Sequence, residues 1–301
     1  MVKNVSLGMG SMVAMAVLLG SGCSSGSAAG TLVVSVSGEE AAVSGWPFES
    51  DGETIGFVDG WALDVTKVIL SIDALGIGGA DGETTTLGAD HVLVDLAQGD
   101  TELWRFAGVT ARRWENLEYQ IIAANGTPRR VGTISDSDVE AMQRAGASML
   151  FEGTATHATH GEYQVRLVLP LIVHMEHCIG GDGTDGIVVE ANGISTGTVT
   201  VHLDHLFFDD LASDEAEMRF EAWAAAAGDD RIITLDDLAS QPLADLRGVD
   251  GMPLRDQAGD PIVYDPGSNP LRTPDLAEHV FWAATTVGHW NGEGHCEYHV
   301  H

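Results

Sequence analysis

Basic residues are scarce. The 301-residue chain carries 14 Lys and Arg against 45 Asp and Glu, a formal net charge of −31, and its only lysines are Lys3 and Lys67. A surface of that sign repels phosphate backbones from nearly every side, so nucleic acid is excluded as a partner. Cysteine is nearly absent as well, with Cys23, Cys178 and Cys296 alone. Three cysteines cannot build a disulfide-scaffolded mini-fold. No apolar run is long enough for a polytopic membrane protein. The motifs G-x-x-x-x-G-K-[ST], C-x-x-C-H and H-E-x-x-H are all missing. Nucleotide-loop, c-type haem and zincin readings therefore have no anchor, and Ser, His and Asp are too common to nominate a triad.

What is present supports a folded body. Apolar residues make up 44% and charged residues 20%, which suffices for a core in one large domain or two smaller ones. The acids are spread along the chain. They read as a solubilising surface, with a cation-attracting surface as the alternative.

The first residues read as an export leader. Lys3 supplies the positive start, residues 5–19 are apolar and uncharged, and Leu19-Gly20-Ser21-Gly22-Cys23 closes the segment. These residues resemble a bacterial lipoprotein signal. Gly22 and Cys23 match its last two positions and Ser21 fits the small position before them, while Gly20 stands where that pattern prefers Leu. The resemblance implies removal of residues 1–22 and acylation of Cys23, with palmitate among the attached chains. It also implies a membrane anchor through the lipid. Ser24, where no Asp stands, implies sorting to the outer membrane, on its periplasmic or surface face. Residues 23–30 form a Ser/Gly/Ala tether. The resemblance ends there and is silent on the mature fold.

Residues 31–206 are expected to be β-rich. Thr31 to Ser37 alternates in the manner of a strand. From Ile55 to Ile72, Phe57, Trp61, Leu63 and Val65 share one parity, whereas Val68, Leu70 and Ile72 take the other. A period of two cannot switch parity without an extra residue, so a bulge is expected near Thr66-Lys67. Residues 91–96, 118–124, 187–190 and 197–203 read as further strands. Ser135 with Asp138 forms a capping-box pattern that opens a helix ended by Gly146. Residues 163–175 read as a central strand, with Pro170 demanding an edge or a bulge. The four tryptophans Trp46, Trp61, Trp104 and Trp114 fit a core better than a sugar platform.

Residues 207–301 read as a helical and irregular C-terminal segment. Helices are expected over 214–227, over 235–240 behind Thr234, and from a Thr273 cap with Pro274 at the first position. Residues 226–238 resemble the second half of an EF-hand: Asp230, Ile233 and Asp237 fit its fifth, eighth and twelfth positions. Ala226, Gly228 and Arg231 depart from it, so calcium is not expected. The fold class is thus α+β: a mainly antiparallel β-sandwich-like domain with a helical C-terminal segment packed on it.

Twelve histidines carry the functional signal. His157/His160, His174/His177 and His202/His205 form three H-x-x-H pairs, and His289, His295, His299 and His301 crowd the end. Imidazole suits both zinc and copper. Residues three apart share a helix face but oppose on a strand, so a pair converges only where the chain has turned. Cys178 and Cys296 each follow a His. In an oxidising compartment they are expected to pair, with a His/Cys metal centre as the alternative. Either way His174, His177, His295 and His299 are expected to approach. The candidate ligands for zinc or copper are His174, His177, His202, His205, His289 and His295. The chain is expected to be a non-catalytic metal-binding or carrier protein serving an envelope uptake or assembly partner. A metal-free β-rich interaction or adhesion module is the alternative. A metal-dependent hydrolase would need Asp204 as its base.

Overall fold

The computed structural model describes residues 28–301 apart from Asp51, Asp81, Glu83, Ala89, Asp214 and Gln257. Cys23 lies outside the described residues. Strands dominate, with a few short helices, in a sandwich of two curled sheets. The smaller sheet runs Gly288–Trp290, Ile194–Val201, Ala29–Ser37, Thr101–Thr110. The path of the larger runs Ile232–Ile233, Gly161–Leu169, Met149–His157, Ala62–Gly78, Asn116–Ile121, Val173–Ile179, His295–Val300. Most pairings are antiparallel; Ala29–Ser37 with Ile194–Val201 is a parallel exception.

The Ala62–Gly78 strand explains its own sequence. Lys67 pairs with Glu152 and Val65 with Gly153, which leaves Thr66 as the extra residue. The bulge lets Leu63 and then Val68, Leu70 and Ile72 all enter the main core. Ile69 points to the opposite face, where Val139 and Met142 cover it from the helix Asp136–Ala145. That helix has the expected capping box on Ser135 and Asp138, and Gly146 ends it in the left-handed conformation. Lys67, beside the bulge, binds the capping carboxylate of Asp138 at 2.9 Å, tying helix to sheet.

Several expectations change. Pro170 does not sit inside one strand; it ends Gly161–Leu169, and the chain restarts at Val173 beside different neighbours. The helix expected over 214–227 is confined to Glu221–Ala226. Before it the chain is extended, because Asp209 binds both the Glu217 amide and the Arg219 guanidinium, and Met218 bridges to Phe208. The last helix, Leu276–Thr285, is capped by Asp275 rather than Thr273, with the Glu278 carboxylate folded back onto the Thr273 amide. Asp237, the last EF-hand-like position, spends its carboxylate capping Leu235–Leu238 through Thr234. The four tryptophans are buried. Beyond residue 206 the chain is not only helical: Gly288–Trp290 joins the smaller sheet and His295–Val300 the larger.

Cys178 and Cys296 form a disulfide across 118 residues. It ties the last strand to Val173–Ile179, its neighbour in the larger sheet. A disulfide of this kind belongs to an oxidising, non-cytoplasmic setting. Among the described residues no helix is long and apolar enough to cross a membrane.

Trp290 shows how tightly the closing strand is seated. Its indole lies over Gly197 on the neighbouring strand, where a methyl group would overlap the six-membered ring. Gly197→Ala is expected to lower stability by about 1–3 kcal/mol through overpacking, read as a lower urea midpoint. An unchanged midpoint would contradict this packing.

Candidate metal centre

The strand Ile194–Val201 ends where the His202 amide donates to the Val287 carbonyl at 2.9 Å. A 3-10 helix, Leu203–Phe207, begins at the next residue with His202 at its N-cap. In a 3-10 turn, side chains three apart eclipse. His202 and His205 therefore fall on one side, with ring centroids 5.5 Å apart. His289 arrives from the short strand Gly288–Trp290, opposite Thr200 in the ladder. Its ring lies 4.2 Å from that of His202 and 5.3 Å from that of His205. The Tyr119 hydroxyl donates to the His289 carbonyl at 3.2 Å and steadies this backbone.

One nitrogen from each of the three rings lies within 4.8 Å of the others. Zinc–nitrogen bonds of about 2 Å in a tetrahedral site separate donors by roughly 3–3.5 Å, so modest side-chain rotation closes the set. Two of these rings are almost wholly buried, His202 at 6% exposure and His289 at 8%. His202 Nε2 and His289 Nδ1 are buried without a hydrogen-bond partner. Such an omission is costly unless something fills it.

His205 is oriented differently. The Thr286 hydroxyl donates to the Ala283 carbonyl at 2.9 Å. Its oxygen is then left to accept from His205 Nδ1–H, also at 2.9 Å. That fixes the tautomer and leaves Nε2 with its lone pair, as a metal ligand requires. Burial, then the neighbouring His202, hold His205 down to about 4, and burial with His202 and His205 does the same for His289. Both rings are thus neutral, the form that binds metal.

Carboxylates flank the set. Glu39 Oε2 lies 4.0 Å from His202 Nε2, and Glu293 Oε2 lies 3.9 Å from His202 Nδ1. Burial raises the carboxyl of Glu39, with His202 opposing. Burial likewise raises Asp204. A cleft of about 540 Å³ opens beside the histidines, lined by His205, His289, His295, Glu293, Asp210 and Tyr298 among others.

The six candidate ligands divide. His202, His205 and His289 come together, and His295 stands next to them with its ring 5.6 Å from that of His289. His174 and His177 do not join. His174 lies half-buried on the larger sheet with Glu118 and Glu176, opposite His299 in the ladder. His177 stands in a bulge of the same strand, near Glu176 and Glu297. So His174 and His299 do meet, but away from the buried set. His157 and His160 stack on each other and on Trp61 at a hairpin turn. Glu39, Glu293 and Thr286 escaped the sequence reading. Glu293 had a signal, lying between His289 and His295; Glu39 and Thr286 had none, because only the fold brings them near.

The geometry defines a class: a disulfide-bonded, mainly β sandwich with a buried three-histidine pocket open to a cleft. Among known proteins, no family model and no curated sequence matches the chain. Among solved structures it is similar to MbnP from Methylosinus trichosporium, at 13% identity and a TM-score of 0.32, over 87% of this chain and 97% of that one.

Proposed function

We propose that the protein is an exported lipoprotein, anchored to the outer membrane through acylated Cys23, that binds zinc or copper at His202, His205 and His289 as a non-catalytic binding or carrier protein. One observation carries the metal reading: two nearly buried imidazoles present unpartnered nitrogens beside a third whose tautomer leaves a lone pair free. Imidazole donors suit zinc and copper and do not suit calcium. The disulfide supports the extracytoplasmic half of the reading.

Metal analysis of untagged protein tests it. The expected result is one equivalent of zinc or copper per chain, a rise in melting temperature on loading, and loss of both in His202→Ala/His289→Ala. Sub-stoichiometric metal without a thermal shift would overturn it and favour the metal-free interaction module. Thr286→Val is expected to weaken metal binding about 10–100-fold by releasing His205, with Thr286→Ser restoring it. The anchor is tested by labelled palmitate, expected to enter the wild type and not Cys23→Ser.

A further inference from the structure

We propose that His295, together with Glu293, is the capture group through which a hydrated metal ion reaches the buried histidines, setting the speed of loading and unloading and not the final affinity. This rests on the three-histidine reading above and adds a route to it.

The donors are graded by depth. His202 is buried and is not part of the cleft wall, whereas His205, His289 and His295 are. His295 is exposed, with its ring 5.6 Å from that of His289, and stands outside the group whose nitrogens converge. The Glu293 side chain is 83% exposed, yet its carboxylate reaches within 3.9 Å of His202 Nδ1. An ion entering from solvent therefore meets a carboxylate and an imidazole before it meets the pocket. Each can replace one water while the ion keeps the rest. His289, the next donor inward, lies on both the cleft wall and the buried set.

These outer groups are also held in place. The turn between His289 and His295 is pinned to the Ile194–Val201 strand. The Asn291 amide donates to the Thr198 carbonyl at 2.8 Å, and the Thr198 amide donates to Asn291 Oδ1 at 2.8 Å. The Gly292 amide donates to Thr200 Oγ1 at 2.9 Å. On the other side of His295, Cys296 is bonded to Cys178. A rigid mouth bearing an anion concentrates cations at the entrance, an effect that salt weakens.

The test is stopped-flow loading of the disulfide-bonded protein with copper(II) chloride, read by quenching of tryptophan fluorescence, and unloading by excess chelator. His295→Ala and Glu293→Gln are expected to keep one equivalent and near-wild-type affinity. Both are expected to load and unload about tenfold more slowly. Millimolar imidazole is expected to restore the rate of His295→Ala, which a purely structural defect would not allow. Wild-type rates in both variants would overturn the proposal. So would loss of the bound equivalent in His295→Ala, which would make His295 an ordinary ligand. A wild-type chain that takes up no metal fails on the three-histidine reading itself, before the route is tested.

Discussion

Cys178→Ser/Cys296→Ser is expected to lose about 4–5 kcal/mol of stability, the largest effect of any substitution considered. The bridge spans 118 residues, and in the chain-entropy model a loop of that size restricts the unfolded chain by roughly this amount. The loss is expected to reach the metal centre too. Cys296 follows His295 and belongs to the strand reached by the turn from His289, and the cleft wall includes Cys296 itself. Urea denaturation of the variant, and of wild type held in reductant, checks the first part; metal titration checks the second. A midpoint within experimental error of wild type would show that the ladder with Val173–Ile179 suffices without the bridge.

Acid is expected to destabilise the metal-free protein through His205 and His289. A free imidazole ionises near pH 6.5, and these two do so near 4. Between those values the unfolded chain binds protons that the folded chain refuses, so stability falls as pH falls. Above pH 6.5 the two rings contribute nothing. By pH 4 each costs about 3 kcal/mol. The titratable groups acting on them are each other, His202 and His295, while Glu39, Glu293 and Asp204 act on His202. Burial raises the carboxyls of Glu39, Asp59, Asp95 and Asp204, and those groups act in the opposite sense, taking up protons first in the folded state. The wild type must therefore be compared with His205→Gln/His289→Gln, whose profile from pH 6.5 to 4.5 is expected to be flatter. Identical profiles would mean that the two rings titrate normally. Loaded protein is expected to hold its metal down to about pH 4, where the two rings begin to take up protons in the folded chain and compete for the same nitrogens.

Local rules explain what was legible in the sequence. The parity switch at Thr66 is a statement about one strand, and the strand obeys it. The Ser135 capping box involves four consecutive residues, and it forms. The cysteine pair was legible because only two cysteines follow Cys23. Sequence and structure part where a distant residue decides. Residues 214–227 have the composition of a helix, yet Asp209 holds Arg219 and the Glu217 amide and keeps residues 217–219 out of it. His174 and His177 have the same spacing as His202 and His205, but their strand continues through a bulge where the other turns at once into a 3-10 helix. Spacing alone could not separate the two pairs. His205 needed Thr286, and His202 stands beside Glu39, contacts across the fold that no sequence window contains.

The segment from Gly288 to Val300 closes both sheets and carries His289. Every other strand of the two sheets precedes it in the chain. Until those residues have been made and released, the three-histidine pocket does not exist, whatever has already folded ahead of them. The pocket is therefore assembled last, after the strands that support it.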